Sequence, residues 1–133
     1  GMGSVPYTVR LAKAIGARIT ALHVTAPYET VALGGLASFL VGDEYTKRAS
    51  INATVVLDRV KRVAQDANVL VSTFQVEHAH PWQAIIETAK EQKADLILMS
   101  SHGRRGIAGI LLGSETKKVL THTPTPVLVW RGV

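Results

Sequence analysis

Gly103, Gly106, Gly109 and Gly113 punctuate a short segment that follows the apolar run Leu-Ile-Leu-Met, ending at Met99, and leads into Ser114-Glu115-Thr116. Glycine lets backbone approach a ligand with no Cβ in the way. A helix opening at Ser114 presents N–H groups and the positive end of its dipole, which together hold phosphate. Ser114 and Thr116 add hydroxyls, while His102, Arg104 and Arg105 supply polar or cationic contacts. The chemistry this segment suggests is polyanion binding, spread over Ser100 to Thr116. In a plainer reading the glycines only shape a turn and Ser114 is an ordinary helix cap; of the two, anion binding is the better. No lysine follows Gly113, so the segment is not a Walker A loop. Its G-x-x-G-x-x-G core also departs from the dinucleotide fingerprint.

Other constellations are weaker. His78 and His80, two apart near a strand end, put two imidazoles on one side, but only Glu77 stands beside them as a carboxylate. A solvated strand end explains them better than a metal. His23 lies in an apolar strand and His122 follows a helix, where a cation is mildly favoured; neither is assigned a function. Arg59, Lys61 and Arg62 read as the wet face of a helix, as do Lys90 and Lys93. The formal charge of +5 is not interleaved with aromatics, of which there are two Trp, three Tyr and two Phe. Single-strand nucleic-acid binding usually wants stacking platforms beside its charge, so nucleic acid is not expected. Paired carboxylates in a shared motif, a serine elbow and a metal-ligand triad are all absent from the sequence. Strong catalysis is not expected, although Mg²⁺ and a phosphate loop orienting water would leave slow hydrolysis open.

These residues must be held by a scaffold of alternating elements. Val5 to Ile15 repeats apolar residues on one helical face and is followed by Gly16, where a left-handed cap is wanted. Ala17 to Val24 alternates over strand length, and Pro27 closes it. The apolar, glycine-broken stretch from Ala26 to Gly42 fits a loop or short irregular helix. Glu44 to Ala67 has a helical period, Val69 to Glu77 reads as a strand, and Pro81 suits a first helical residue ahead of Trp82, Ile85, Ile86 and Ala89. Asp95 to Met99 has almost no alternation, as in a central strand covered on both faces. Gly103 to Gly113 forms a connection, Ser114 to Thr121 a helix and Pro126 to Trp130 a last strand. Such alternation specifies an α/β fold, an open doubly wound parallel sheet with helices on both faces. Ligands in such sheets bind beyond the carboxyl ends of the strands, where Ser100 to Thr116 falls.

Composition sets the outer bounds. The 133 residues suit one domain, here 1–133, and 47% hydrophobic content excludes a disordered chain. The absence of cysteine removes disulfides and thiolate sites. No apolar run approaches a membrane span and no secretory signal is visible, so the expectation is a cytoplasmic protein with no membrane association.

With its words Ser-His-Gly-Arg-Arg-Gly and Leu-Leu-Gly-Ser, the spacing Ser100-x2-Gly103-x9-Gly113-Ser114 resembles the universal stress protein family. That family carries G-x2-G-x9-G-(S/T) after its fourth strand; Ser100 replaces the first glycine. The resemblance runs from Val5 to Trp130 through the Leu-His-Val strand end, the Pro81 helix start and the final Pro-Val-Leu-Val. It implies an ATP-binding stress-response sensor or switch, with ATP, ADP or AMP, and optionally Mg²⁺, lying across the strand ends. Met99, Ser100, His102, Gly103, Arg104, Gly113, Ser114, Glu115 and Thr116 would then face ribose and phosphate, and Val24 the adenine. A protein-protein interaction module of the same fold and a weak ATP hydrolase are the alternatives. The family order of about five strands, 3-2-1-4-5, would put the last strand at an edge, with homodimer contacts at Val127, Val129 and Trp130.

The beginning departs from the family pattern. Its members open on a hydrophobic strand ending in an Asp-Gly-Ser-like turn, and here Gly1-Met2-Gly3-Ser4 leads directly into a helix. The expectation is that Gly3-Ser4 is the tail of that turn, Gly1 and Met2 a tag remnant and initiator, and the first strand missing from this chain. The family aspartate is then without a counterpart.

Overall fold

A computed structural model describes residues 3–28, 42–101 and 112–132. Helix α1 (Ser4–Ile15) buries Val5, Val9 and Ala12, spaced to fall on one face. It stops at Gly16, whose φ of 69° is left-handed and whose N–H reaches the carbonyls of Ala12 and Lys13. A Cβ at Gly16 would meet nothing within 4 Å, so the cost of adding one is conformational only. Gly16→Ala is expected to destabilise the protein by about 1 kcal/mol, read as a lower urea midpoint with an unchanged slope.

Strand β1 (Ile19–Thr25) pairs in parallel with β2 (Val71–Glu77), from Ile19 opposite Val71 to Thr25 opposite Glu77. Between them in sequence stands α2 (Gly42–Asp66), with Asp43 and Glu44 in its first turn, where carboxylates favour the helix dipole. Its fully buried Ala53 and Ala64 let it lie close to its neighbours, and Leu57 fills the space between. Helix α3 (Pro81–Glu91) has Pro81 in its first turn, and strand β3 (Ile97–Ser100) follows. Helix α4 (Ser114–His122) leads to strand β4 (Val127–Trp130), which pairs in parallel with β3. The elements agree with the sequence reading to within two residues, Gly42 opening α2 instead of closing the preceding stretch. Most of the stretch from Ala26 to Gly42, and of the Gly103 to Gly113 connection, lies outside the described residues.

The α/β class with parallel strands is as expected: α1 packs on α2, and α3 on α4. The single sheet of about five strands is not found among the described residues. Four strands form two separate sheets, β1-β2 and β3-β4. The core is divided in the same way. One cluster joins Val5, Val9, Ala12, Ala64 and Val69; the other joins Ala89, Ile97 and Val119. Strand β3 was expected at the centre on its apolar composition. Among the described residues it pairs with β4 alone, with Ile97 buried and Leu98, Met99 and Ser100 half-buried.

Candidate functional site

Two hydrogen bonds fasten the carboxyl end of β3 to the start of α4, and a third ties it to the end of β4. Thr116 Oγ1 donates to the Ser100 carbonyl at 3.0 Å, the Gly113 N–H donates to the Ser101 carbonyl, and the Ser101 N–H donates to the Trp130 carbonyl at 2.9 Å. Ser101 and Thr116 are buried, so these bonds sit in a dry clamp. The clamp holds the end of β3 against the start of α4.

Helix α4 has Gly113 as its N-cap, in an extended conformation, with no side chain capping it. The plainer reading of Ser114 as an ordinary cap is therefore not what the structure contains; Ser114 is the first helical residue and is exposed. The first intrahelical bond runs from the Lys117 N–H to the Gly113 carbonyl. Helix geometry thus leaves the N–H groups of Ser114, Glu115 and Thr116 without partners inside the helix. That is a donor cluster at the positive end of a dipole, beside the end of a strand.

Two of the residues picked out by the sequence have structural partners. Glu115 Oε2 accepts from the Trp82 N–H at 2.9 Å, capping α3 from a neighbouring helix. The Trp82 ring stacks on His122 with centroids 4.6 Å apart, so α3 grips α4 at both ends. Thr116 gives its proton to Ser100. Met99 and Ser100 are half-buried at the end of β3, and Val24 is half-buried near the end of β1. His102, Gly103 and Arg104 lie outside the described residues. Ser101, Trp82 and the Trp130 carbonyl were missed, since their roles depend on partners far away in sequence. The serine pair Ser100-Ser101, following a buried strand, was the available hint.

At the β1 side of the same rim, Thr25 Oγ1 is buried with no hydrogen-bond partner. Nearby, the Tyr45 hydroxyl donates to the Ala26 carbonyl at 2.7 Å, and its ring lies against Tyr28. Burial, then the charge of Glu77, raises the Tyr45 pKa above its ordinary 10.0. The folded state therefore holds this proton more tightly than the unfolded chain does. The contribution is complete below the ordinary value and is lost as pH rises through the raised one. Unfolding followed from pH 9 to 12 should show a decline that is shallower in Tyr45→Phe.

His78 Nδ1 accepts from the His80 N–H at 2.8 Å, so this pair closes a local turn. No group of three or more metal-ligating side chains occurs among the described residues. No helix among them is long and apolar enough to cross a membrane.

Comparison with known proteins decides the family. The model of the universal stress protein family matches residues 5–131. The chain belongs to the universal stress protein family. A universal stress protein of Methanocaldococcus jannaschii, MJ0531, is 32% identical over 123 residues, covering 92% of this chain and 70% of the relative. Among solved structures, a universal stress protein in complex with cAMP superposes with a TM-score of 0.68 at 23% identity. The match covers 99% of this chain and 87% of the other. The universal stress protein of Archaeoglobus fulgidus in complex with dAMP gives 0.69 at 18%, covering 98% and 86%. At these identities the likeness concerns the fold, and this universal stress protein shares it.

Proposed function

We propose that this universal stress protein binds an adenine nucleotide at the rim where β1 and β3 end and α4 begins, and acts as a stress-response sensor or switch. The observation that carries the reading is the clamp between Ser100-Ser101 and Gly113-Thr116, which fixes the amino end of α4 beside the end of β3. In this reading the N–H groups of Ser114, Glu115 and Thr116 and the Ser114 hydroxyl hold phosphate. Gly113 permits close approach, and Met99, Ser100, His102, Gly103 and Arg104 complete the ribose and phosphate contacts. Val24 meets adenine. The unpartnered Thr25 hydroxyl supports a polar ligand at the β1 end. Glu115 and Thr116 serve with their backbone, their side chains being engaged with Trp82 and Ser100. Two proteins of the same fold were solved with cAMP and dAMP, which supports the adenine class.

Residues 1–133 then act as one nucleotide-binding domain in the cytoplasm, with ATP as the expected ligand and Mg²⁺ accompanying its phosphates. The same proposal includes a homodimer formed through β4, at Val127, Val129 and Trp130, for which sedimentation over a range of concentrations is the check. Calorimetric titration with ATP, AMP and cAMP at fixed salt tests the function. Saturable binding of at least one nucleotide is expected. Absence of heat at millimolar ATP would instead favour a protein-protein interaction module of this fold. Product analysis after prolonged incubation with Mg²⁺ and ATP separates binding from slow hydrolysis.

A further inference from the structure

Ile51 and Val55 stand one turn apart on α2 with 57% and 61% of their surfaces exposed. The helix buries Ala53, Leu57 and Ala64 on its opposite side. Two aliphatic side chains sharing the outward face of a long helix point to a contact outside the domain. The charges around them define that contact. At about 100° per residue, Glu44, Arg48, Ile51, Val55, Asp58 and Arg62 fall within an arc of about 80°, nearly opposite the buried residues. All of them are exposed.

The stripe is complementary to its own reverse. Glu44 lies as far before Ala53 as Arg62 lies after it; Arg48 and Asp58 are placed in the same way, and so are Ile51 and Val55. A second copy of α2 laid antiparallel, with a twofold axis passing at Ala53, therefore sets Glu44 against Arg62, Arg48 against Asp58 and Ile51 against Val55, each twice over. At either end of such a contact, Glu44 and Arg48 of one copy meet Arg62 and Asp58 of the other, and the charge of the cluster balances. A parallel arrangement in register would set like charges together instead. Lys47 and Arg59, which the twofold axis also brings level, lie about 60° to either side of the stripe's centre, at margins where water and salt screen them.

We propose that the outward face of α2 is a self-association surface, on which a second copy of this chain docks antiparallel through Glu44, Arg48, Ile51, Val55, Asp58 and Arg62. The same patch serves on both copies, so the contact closes on itself. The aliphatic residues lie at its middle and the charges at its ends, as in an apolar core with a polar rim. One helix against another is a small contact, so association is weak and depends on concentration. Added salt loosens it by screening the end clusters. The inference is independent of nucleotide binding and of the contact proposed at β4, because none of these residues belongs to either.

Sedimentation equilibrium of the full chain from about 10 µM to about 1 mM is the test. The parent's average mass should rise across that range, and each variant is read against the parent. Glu44→Arg and Arg62→Glu, each alone, should weaken association about tenfold or more, because facing positions then carry the same sign at both ends. An equimolar mixture of these two variants should regain the parent's affinity, because every facing pair is again of opposite sign. Val55→Asp should weaken association by as much or more in a protein whose circular dichroism is unchanged. Charge variants that associate as the parent does, a mixture no better than its two components, or a rise in mass untouched by Val55→Asp would each overturn the proposal.

Discussion

Gly113→Val should weaken adenine-nucleotide binding by about 100-fold while leaving the protein folded. The backbone at Gly113 has φ −70° and ψ 161°, an extended conformation that valine adopts without strain. Its N–H is held by the Ser101 carbonyl and does not depend on the side chain. The isopropyl group would instead stand where phosphate approaches the start of α4. Displacing the phosphate from one or two charge-assisted hydrogen bonds costs roughly 3 kcal/mol, which corresponds to about two orders of magnitude in affinity. Calorimetry with ATP beside a thermal melt measures both quantities. Lys61→Ala, on the exposed face of α2, is the control and should bind as the parent does. Equal losses in the two variants would mean that the site lies elsewhere.

Thr116→Val should lower stability by about 2 kcal/mol, a drop of roughly 8 °C in Tm for a chain of this size. The substitution keeps shape and volume but removes the hydroxyl that holds Ser100, in a side chain only 4% exposed. Its effect is the loss of a buried hydrogen bond, with no cavity added. Thr116→Ser keeps the hydroxyl and should recover much of the loss. Urea unfolding of the three proteins decides: a Thr116→Val variant as stable as the parent would mean that the clamp holds through its backbone bonds alone.

Local rules served well where the cause is local. Gly16 ends α1 because a left-handed residue is required there, and Pro81 starts α3 because its missing N–H is not needed in the first turn. The end of α3 carried no such mark, since the left-handed residue after it is Lys93, at φ 54°. The glycine-serine spacing pointed to the start of α4, and the clamp that positions it was invisible. Thr116 reaches back 16 residues to Ser100, and Glu115 reaches 33 residues to the Trp82 N–H. No periodic pattern encodes contacts of that length. Composition likewise identified β3 as a strand needing cover on both sides, but composition cannot say what supplies it. The resemblance to the family supplied the fold, and the division into β1-β2 and β3-β4 emerged only from the pairing itself. Of the ten site residues named from sequence, His102, Gly103 and Arg104 lie beyond the described residues.

The account depends on backbone donors at the start of one helix meeting a phosphate beside the end of one strand. Amide resonances followed by NMR during an ATP titration test this directly. The largest shifts should fall on Ser114, Glu115 and Thr116, with smaller ones at Val24, Met99 and Ser100, all following one saturation curve. Shifts centred on α2, or none at saturating nucleotide, would contradict it.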